Sequence, residues 1–227
     1  MKKQFIVLSL FFLFQITYGQ EEKRTQELQK FTELKAFDGV AVNLIPSTEN
    51  KAIITGANTQ KVVIVNNKGK LKIRMQLDKI FSGYRTFIDL HYTDILSIID
   101  VNEDARISSN AVIDQDLLEL KAQEGGELII NAKVSQLLVK SVTGGVIRTN
   151  GSSKNQDISI NTGGIYRGKE FSTELTTINV NAGGNAEIYA SNYVQATVKA
   201  GGEVSVYGDP VKMDEKKVFG GKITRVN

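Results

Sequence analysis

Two stretches of this chain read Ile158-Ser159-Ile160-Asn161-Thr162-Gly163-Gly164 and Ile178-Asn179-Val180-Asn181-Ala182-Gly183-Gly184. Small or β-branched residues alternate with polar ones up to each glycine pair, and the alternation resumes beyond it, as in Asn185-Ala186-Glu187-Ile188-Tyr189. Strict period-two patterning of this kind marks strands with one face buried. The pair itself recurs six times, at Gly125-Gly126, Gly144-Gly145, Gly163-Gly164, Gly183-Gly184, Gly201-Gly202 and Gly220-Gly221. The intervals between them are 19, 19, 20, 18 and 19 residues. Each interval therefore reads as strand, glycine corner, strand and a short connection. The glycines admit a sharp bend that side chains would oppose.

One such repeat cannot cover its own apolar face, but coils stacked in register bury a continuous core at ~4.8 Å per layer. The fold class predicted is all-β: a single-domain parallel β-helix, or β-solenoid, with coils of about 19 residues. An antiparallel β-sandwich or jelly roll, also made of short alternating strands, is the alternative. Upstream the material is the same and the beat looser, with short strands in Val40–Leu44, Ala52–Thr55, Val62–Val65, Leu71–Ile73, Phe87–Leu90 and Leu96–Ile99. An irregular insert occupies Arg74–Thr86.

Residues 1–19 have a basic start, an apolar run from Phe5 to Phe14 and small residues before Gln20, the pattern of a secretory signal cleaved after Gly19. Residues 20–36 are charged and are expected to form an N-terminal cap, in part a short helix through Leu28, Phe31 and Leu34, or a disordered segment. The β-helix domain then spans 37–227. The apolar run is shorter than the ~20 residues a bilayer needs, so the mature chain is expected not to span a membrane.

Composition narrows the chemistry. The 227 residues contain no Cys and a single His, His91, which removes thiolate metal sites and cysteine nucleophiles and leaves too few histidines for a zinc site or a serine triad. Lys and Arg number 28 against 25 Asp and Glu, for a net charge of +3. That balance offers no electrostatic footprint for nucleic acid. No phosphate loop, EF-hand or calcium nonapeptide is present, and no cofactor is expected.

The order of Phe37-Asp38-Gly39-Val40-Ala41-Val42, Ile53-Ile54-Thr55-Gly56-Ala57-Asn58, Gly69-Lys70-Leu71-Lys72-Ile73, the glycine-pair rungs and Tyr207-Gly208-Asp209-Pro210 resembles the putative auto-transporter adhesin, head GIN domain family over about residues 31–226. The resemblance implies an exported β-helical protein of the Gram-negative envelope and carries no catalytic residues with it. Glycine pairs replace the family's commoner Gly-Ser-Gly rungs here.

In a solenoid, residues about 19 apart become neighbours on adjacent strands. The third positions after the pairs give a column Ile129, Arg148, Arg167, Glu187, Ser205 and Thr224, and the fifth give Asn131, Asn150, Lys169, Tyr189 and Tyr207. Arg148, Arg167, Glu187, Tyr189 and Tyr207 form the candidate ligand face, with fixed donors beside flat rings suited to a sugar. The alternative for these residues is a solvated strand face with Arg–Glu pairing. Gln123, Asn161 and Asn181 are expected to stack structurally, with Lys121 and Lys140 facing outward beside them.

Asp89, Asp94, Asp100 and Asp104 cluster near His91 in sequence, but acidic turn residues account for them, and His91 reads as a hydrogen-bonded structural residue. The resulting expectation is a non-enzymatic, adhesin-like or envelope-interaction protein with a cell-surface or extracellular glycan, or an envelope protein, as partner. It is expected in the periplasm, at the outer membrane or outside the cell. A carbohydrate-active enzyme on a β-helix and a structural, self-associating envelope module are the alternatives.

Overall fold

The structure, a computed structural model, describes residues 23–226. The secretory segment expected at 1–19 lies outside the described residues. In chain order the strands are β1 (Arg24–Glu27), β2 (Glu33–Ala36), β3 (Ala41–Pro46), β4 (Lys51–Gly56), β5 (Val62–Asn67), β6 (Lys70–Met75), β7 (Thr86–Tyr92) and β8 (Ile98–Val101). Then come the long strands β9 (Arg106–Ala122), β10 (Glu127–Ser141), β11 (Val146–Ile160) and β12 (Ile165–Asn181). The last are β13 (Asn185–Tyr189), β14 (Tyr193–Lys199), β15 (Glu203–Tyr207), β16 (Lys212–Val218) and β17 (Lys222–Arg225).

These strands wind into a β-solenoid of about 7 turns with coils of about 19 residues. The segments leading into the corners stack in parallel as a first wall: β6, β2, β8, the C-terminal halves of β9 to β12, then β14 and β16. The segments leaving the corners stack as a second wall: β7, β3, the N-terminal halves of β9 to β12, then β13, β15 and β17. Parallel register through both walls sets the sandwich alternative aside. The apolar half of each alternation faces inward, so Leu120, Val139, Ile158, Ile178 and Ala196 on the first wall and Ile107, Leu128, Ile147, Ala186 and Val204 on the second are all buried.

The two glycines of a corner are there for different reasons. Thr162 and Gly163 both take positive φ, 47° and 71°, and the second of two such positions favours glycine. Gly164 instead needs space, since a Cβ there would lie 2.4 Å from the Ser141 carbonyl oxygen of the coil beneath. Corners also bond to one another: the Gly144 and Gly163 N–H groups donate to the carbonyls of Thr162 and Ala182, at 3.2 and 3.1 Å. The same positive-φ corner occurs without a glycine pair at Asp38-Gly39 and at Glu103-Asp104, which is why the beat fades upstream.

At the N-terminal end the solenoid is interrupted by antiparallel pairing of β5 with β6, β4 with β7 and β1 with β4. The reading of residues 20–36 as a helical or disordered segment is corrected over the residues described. Arg24–Glu27 and Glu33–Ala36 are strands, and Phe31 and Leu34 are 1% and 0% exposed. Leu34 and Ala36 alternate with Glu33 and Lys35, and β2 has neighbours on both sides, β6 and β8, so period two prevails over a helical repeat.

Candidate functional site

On the outside of the second wall, Ile129, Arg148, Arg167, Glu187, Ser205 and Thr224 are register partners from coil to coil. Asn131 likewise pairs with Asn150, whose Nδ2 donates to Asn131 Oδ1 at 3.1 Å. A bulge after Arg148 then shifts the register, so Asn150 faces Glu170 and Lys169 falls out of the column expected for it. Tyr189 and Tyr207 are direct partners at the end of that face. A Cβ on Gly208 would lie 2.7 Å from Tyr189 Cε1, so that ring rests over the bare glycine backbone. Neither tyrosine hydroxyl has a hydrogen-bond partner among the described residues.

The charged members of the face hold one another. Arg167 Nη1 lies 3.4 Å from Glu187 Oε1 and donates to Asn185 Oδ1 at 2.7 Å. Arg148 Nε donates to Glu127 Oε1 at 3.1 Å, and Arg106 pairs with the other oxygen of the same carboxylate. Exposed pairs of this kind contribute about 0.2–1 kcal/mol each. Their larger effect is to fix guanidinium groups along a flat wall.

Outside the first wall, Asn181 Nδ2 donates to Asn161 Oδ1 at 3.0 Å, while Gln123 bonds to Asn102 instead. Val142 stands between the two sets and divides the expected ladder. Lys121 and Lys140 are register partners there. Beside them opens a concavity of about 280 Å³ around Leu138. Sequence reading passed over Leu138, although the run Leu137-Leu138-Val139 breaks the alternation and places an apolar side chain on the outside.

The acidic residues near His91 separate in space. Asp89 accepts from Asn43 on the second wall, Asp94 from Thr93 and Lys30, Asp100 from Lys35 and Asn102 on the first wall, and Asp104 from the Tyr84 hydroxyl at a corner. They form no acid–base pair. The His91 side chain, expected to be hydrogen-bonded, has no such bond among the described residues, because its strand position turns it outward beside Lys51. At the corners, burial and then the neighbouring Asp38 carboxylate, with Glu124 beyond it, hold the Glu103 carboxyl above the usual carboxylate range. No group of side chains suited to a metal ion is found among the described residues. No helix among them is long and apolar enough to cross a membrane.

The family model for "Putative auto-transporter adhesin, head GIN domain" matches residues 30–210. The chain belongs to this family. Among solved structures, a putative adhesin of Bacteroides fragilis shares the fold at a TM-score of 0.81 and 15% identity, over 92% of this chain and 98% of that one. A protein of Parabacteroides distasonis described as a putative lipid binding protein aligns at 0.68 and 16% identity, over the same shares of the two chains, 92% and 98%. A putative adhesin of Parabacteroides merdae aligns at 0.64 and 16%, again over 92% and 98%. At these identities the likeness shows the fold alone. No curated protein matches the chain.

Proposed function

We propose that this head GIN protein is an exported, non-enzymatic adhesin-like module that holds a glycan against the second wall. The observation that carries this reading is the in-register Tyr189–Tyr207 pair beside the Arg167–Glu187 ion pair. Two rings with free hydroxyls lie next to donors and acceptors that are already oriented, so a sugar can pack its C–H face on the rings and bond its hydroxyls at little ordering cost. The secretory pattern of residues 1–19 and membership of an adhesin family support an envelope setting. The dispersal of Asp89, Asp94, Asp100 and Asp104 favours binding over hydrolysis, which needs two carboxylates ~5–9.5 Å apart across one bond.

The test is an array of neutral, amino-sugar and uronic-acid oligosaccharides probed with the mature chain and with the Tyr189→Ala/Tyr207→Ala variant. Losing two ring–sugar contacts of about 0.5–1.5 kcal/mol each predicts a drop in affinity of roughly 5- to 150-fold, with the circular dichroism of the strands retained. An unaltered binding profile in the double variant removes the second wall from the account.

A further inference from the structure

We propose that the first wall carries a separate glycan subsite, a trough across β9 to β12 that seats a pyranose ring of a neutral glycan on Leu138. The concavity of about 280 Å³ is small for a drug-sized ligand and is matched to a single sugar ring. Its floor is the half-buried Leu138, which stands in register between Glu119 and Asp157. Its sides are Lys140, Ser159, Thr177 and Asn179, contributed by three successive coils at the ~4.8 Å strand spacing.

Several of these groups are already engaged. Asp157 accepts from Gln136 Nε2 at 3.1 Å, Ser159 Oγ accepts from Asn161 Nδ2 at 3.2 Å, and Glu119 pairs with Lys121 at 2.8 Å. The side chains of Lys140, Thr177 and Asn179 have no partner among the described residues, so donors and acceptors remain free around an apolar floor. That combination fits a ring with a C–H face and hydroxyls that both give and take hydrogen bonds. The charges decide the ligand class. Lys121 neutralises Glu119, and Lys140 opposes Asp157, so the trough holds no surplus charge to select a polyanion. Gln195 and Thr197 continue the columns of Thr177 and Asn179 onto the next coil, so a linear chain laid along the solenoid axis meets the same chemistry one rung further on.

This subsite shares no residue with the second wall, and the experiment separates the two. Affinity electrophoresis of the mature chain uses cellohexaose and mannohexaose as neutral probes and hexagalacturonate as the acidic one. Leu138→Asp sets a charge on the floor, Asn179→Ala removes an exposed side group without touching the core, and Leu138→Met keeps the floor apolar. The expected result is binding of a neutral probe that Leu138→Asp weakens at least tenfold and Asn179→Ala severalfold, while Leu138→Met and Tyr189→Ala/Tyr207→Ala stay within about twofold. Failure of both neutral probes to bind, preference for hexagalacturonate, or full affinity in both Leu138→Asp and Asn179→Ala overturns the proposal. Loss in the tyrosine variant alone overturns this subsite and leaves the second-wall reading standing. Loss in the Leu138 and Asn179 variants alone supports this subsite and leaves the second-wall reading to its own oligosaccharide array.

Discussion

Tyr166 sits where the adjoining coils carry Ile147 and Ala186, and its ring is wholly enclosed. Gly168 makes the room, since a Cβ there would lie 2.4 Å from the ring. The hydroxyl lies 2.7 Å from Thr149 Oγ1 and accepts from Gln156 Nε2, and Gln156 Oε1 has no partner among the described residues. Burial pushes the phenol well above its ordinary range, with the two hydrogen bonds pulling weakly the other way. In the unfolded chain a tyrosine ionises near ~10, whereas here it keeps its proton, so the stability it contributes is complete below ~10 and is lost as pH rises past that value, by about 1.4 kcal/mol per pH unit. Tyr166→Phe is therefore expected to cost about 1–3 kcal/mol at pH 7, by stranding Gln156 and Thr149, yet to lose stability less steeply above ~10. Denaturant unfolding at neutral and alkaline pH checks both, and parallel alkaline slopes in the two proteins count against the assignment.

At the scale of the coil, the two corner glycines predict different penalties. Gly163 has φ +71° and open space around its missing Cβ, so Gly163→Ala meets only the left-handed strain of about 1–2 kcal/mol. Gly164→Ala drives a methyl into the Ser141 carbonyl of the coil beneath and has to open the stack, so its loss should exceed that of Gly163→Ala in thermal unfolding. Equal losses would mean the close approach is not what requires glycine. The same distinction explains what was legible beforehand. The repeat could be read from Gly125 to Gly221 because both requirements fall on the one residue type that stands out in a sequence. It faded upstream because Glu103-Asp104-Ala105 turns the same corner with ordinary side chains. Column membership of Arg148, Arg167, Glu187, Tyr189 and Tyr207 followed from spacing alone, but Lys169 did not, since a bulge is a backbone event that alternation does not encode. Ion pairing and the trough at Leu138 depend on rotamers and strand curvature, which spacing leaves open.

For the whole molecule, the question is what stops the stack from adding further coils of a second copy, as the self-associating alternative requires. The last rungs answer it by the placement of charge. Glu215 and Lys217 of β16 are the register partners of Ala196 and Val198, both fully buried, and Arg225 of β17 is the partner of the buried Val206. These inward positions thus carry charges where the coil beneath carries an apolar side chain. A second copy docking its strands on this edge would bury the Lys217–Glu215 and Arg225–Asp209 pairs, now 3.9 and 2.6 Å apart and open to solvent, against its own core, and the desolvation cost opposes edge-to-edge growth. Replacing the two first-wall charges, as in Glu215→Val/Lys217→Val, restores the apolar pattern and should make the protein self-associate with rising concentration through this end. Sedimentation velocity over a hundredfold concentration range reads the outcome. A double variant that sediments like the parent at every concentration would show that the edge is guarded by something other than these charges.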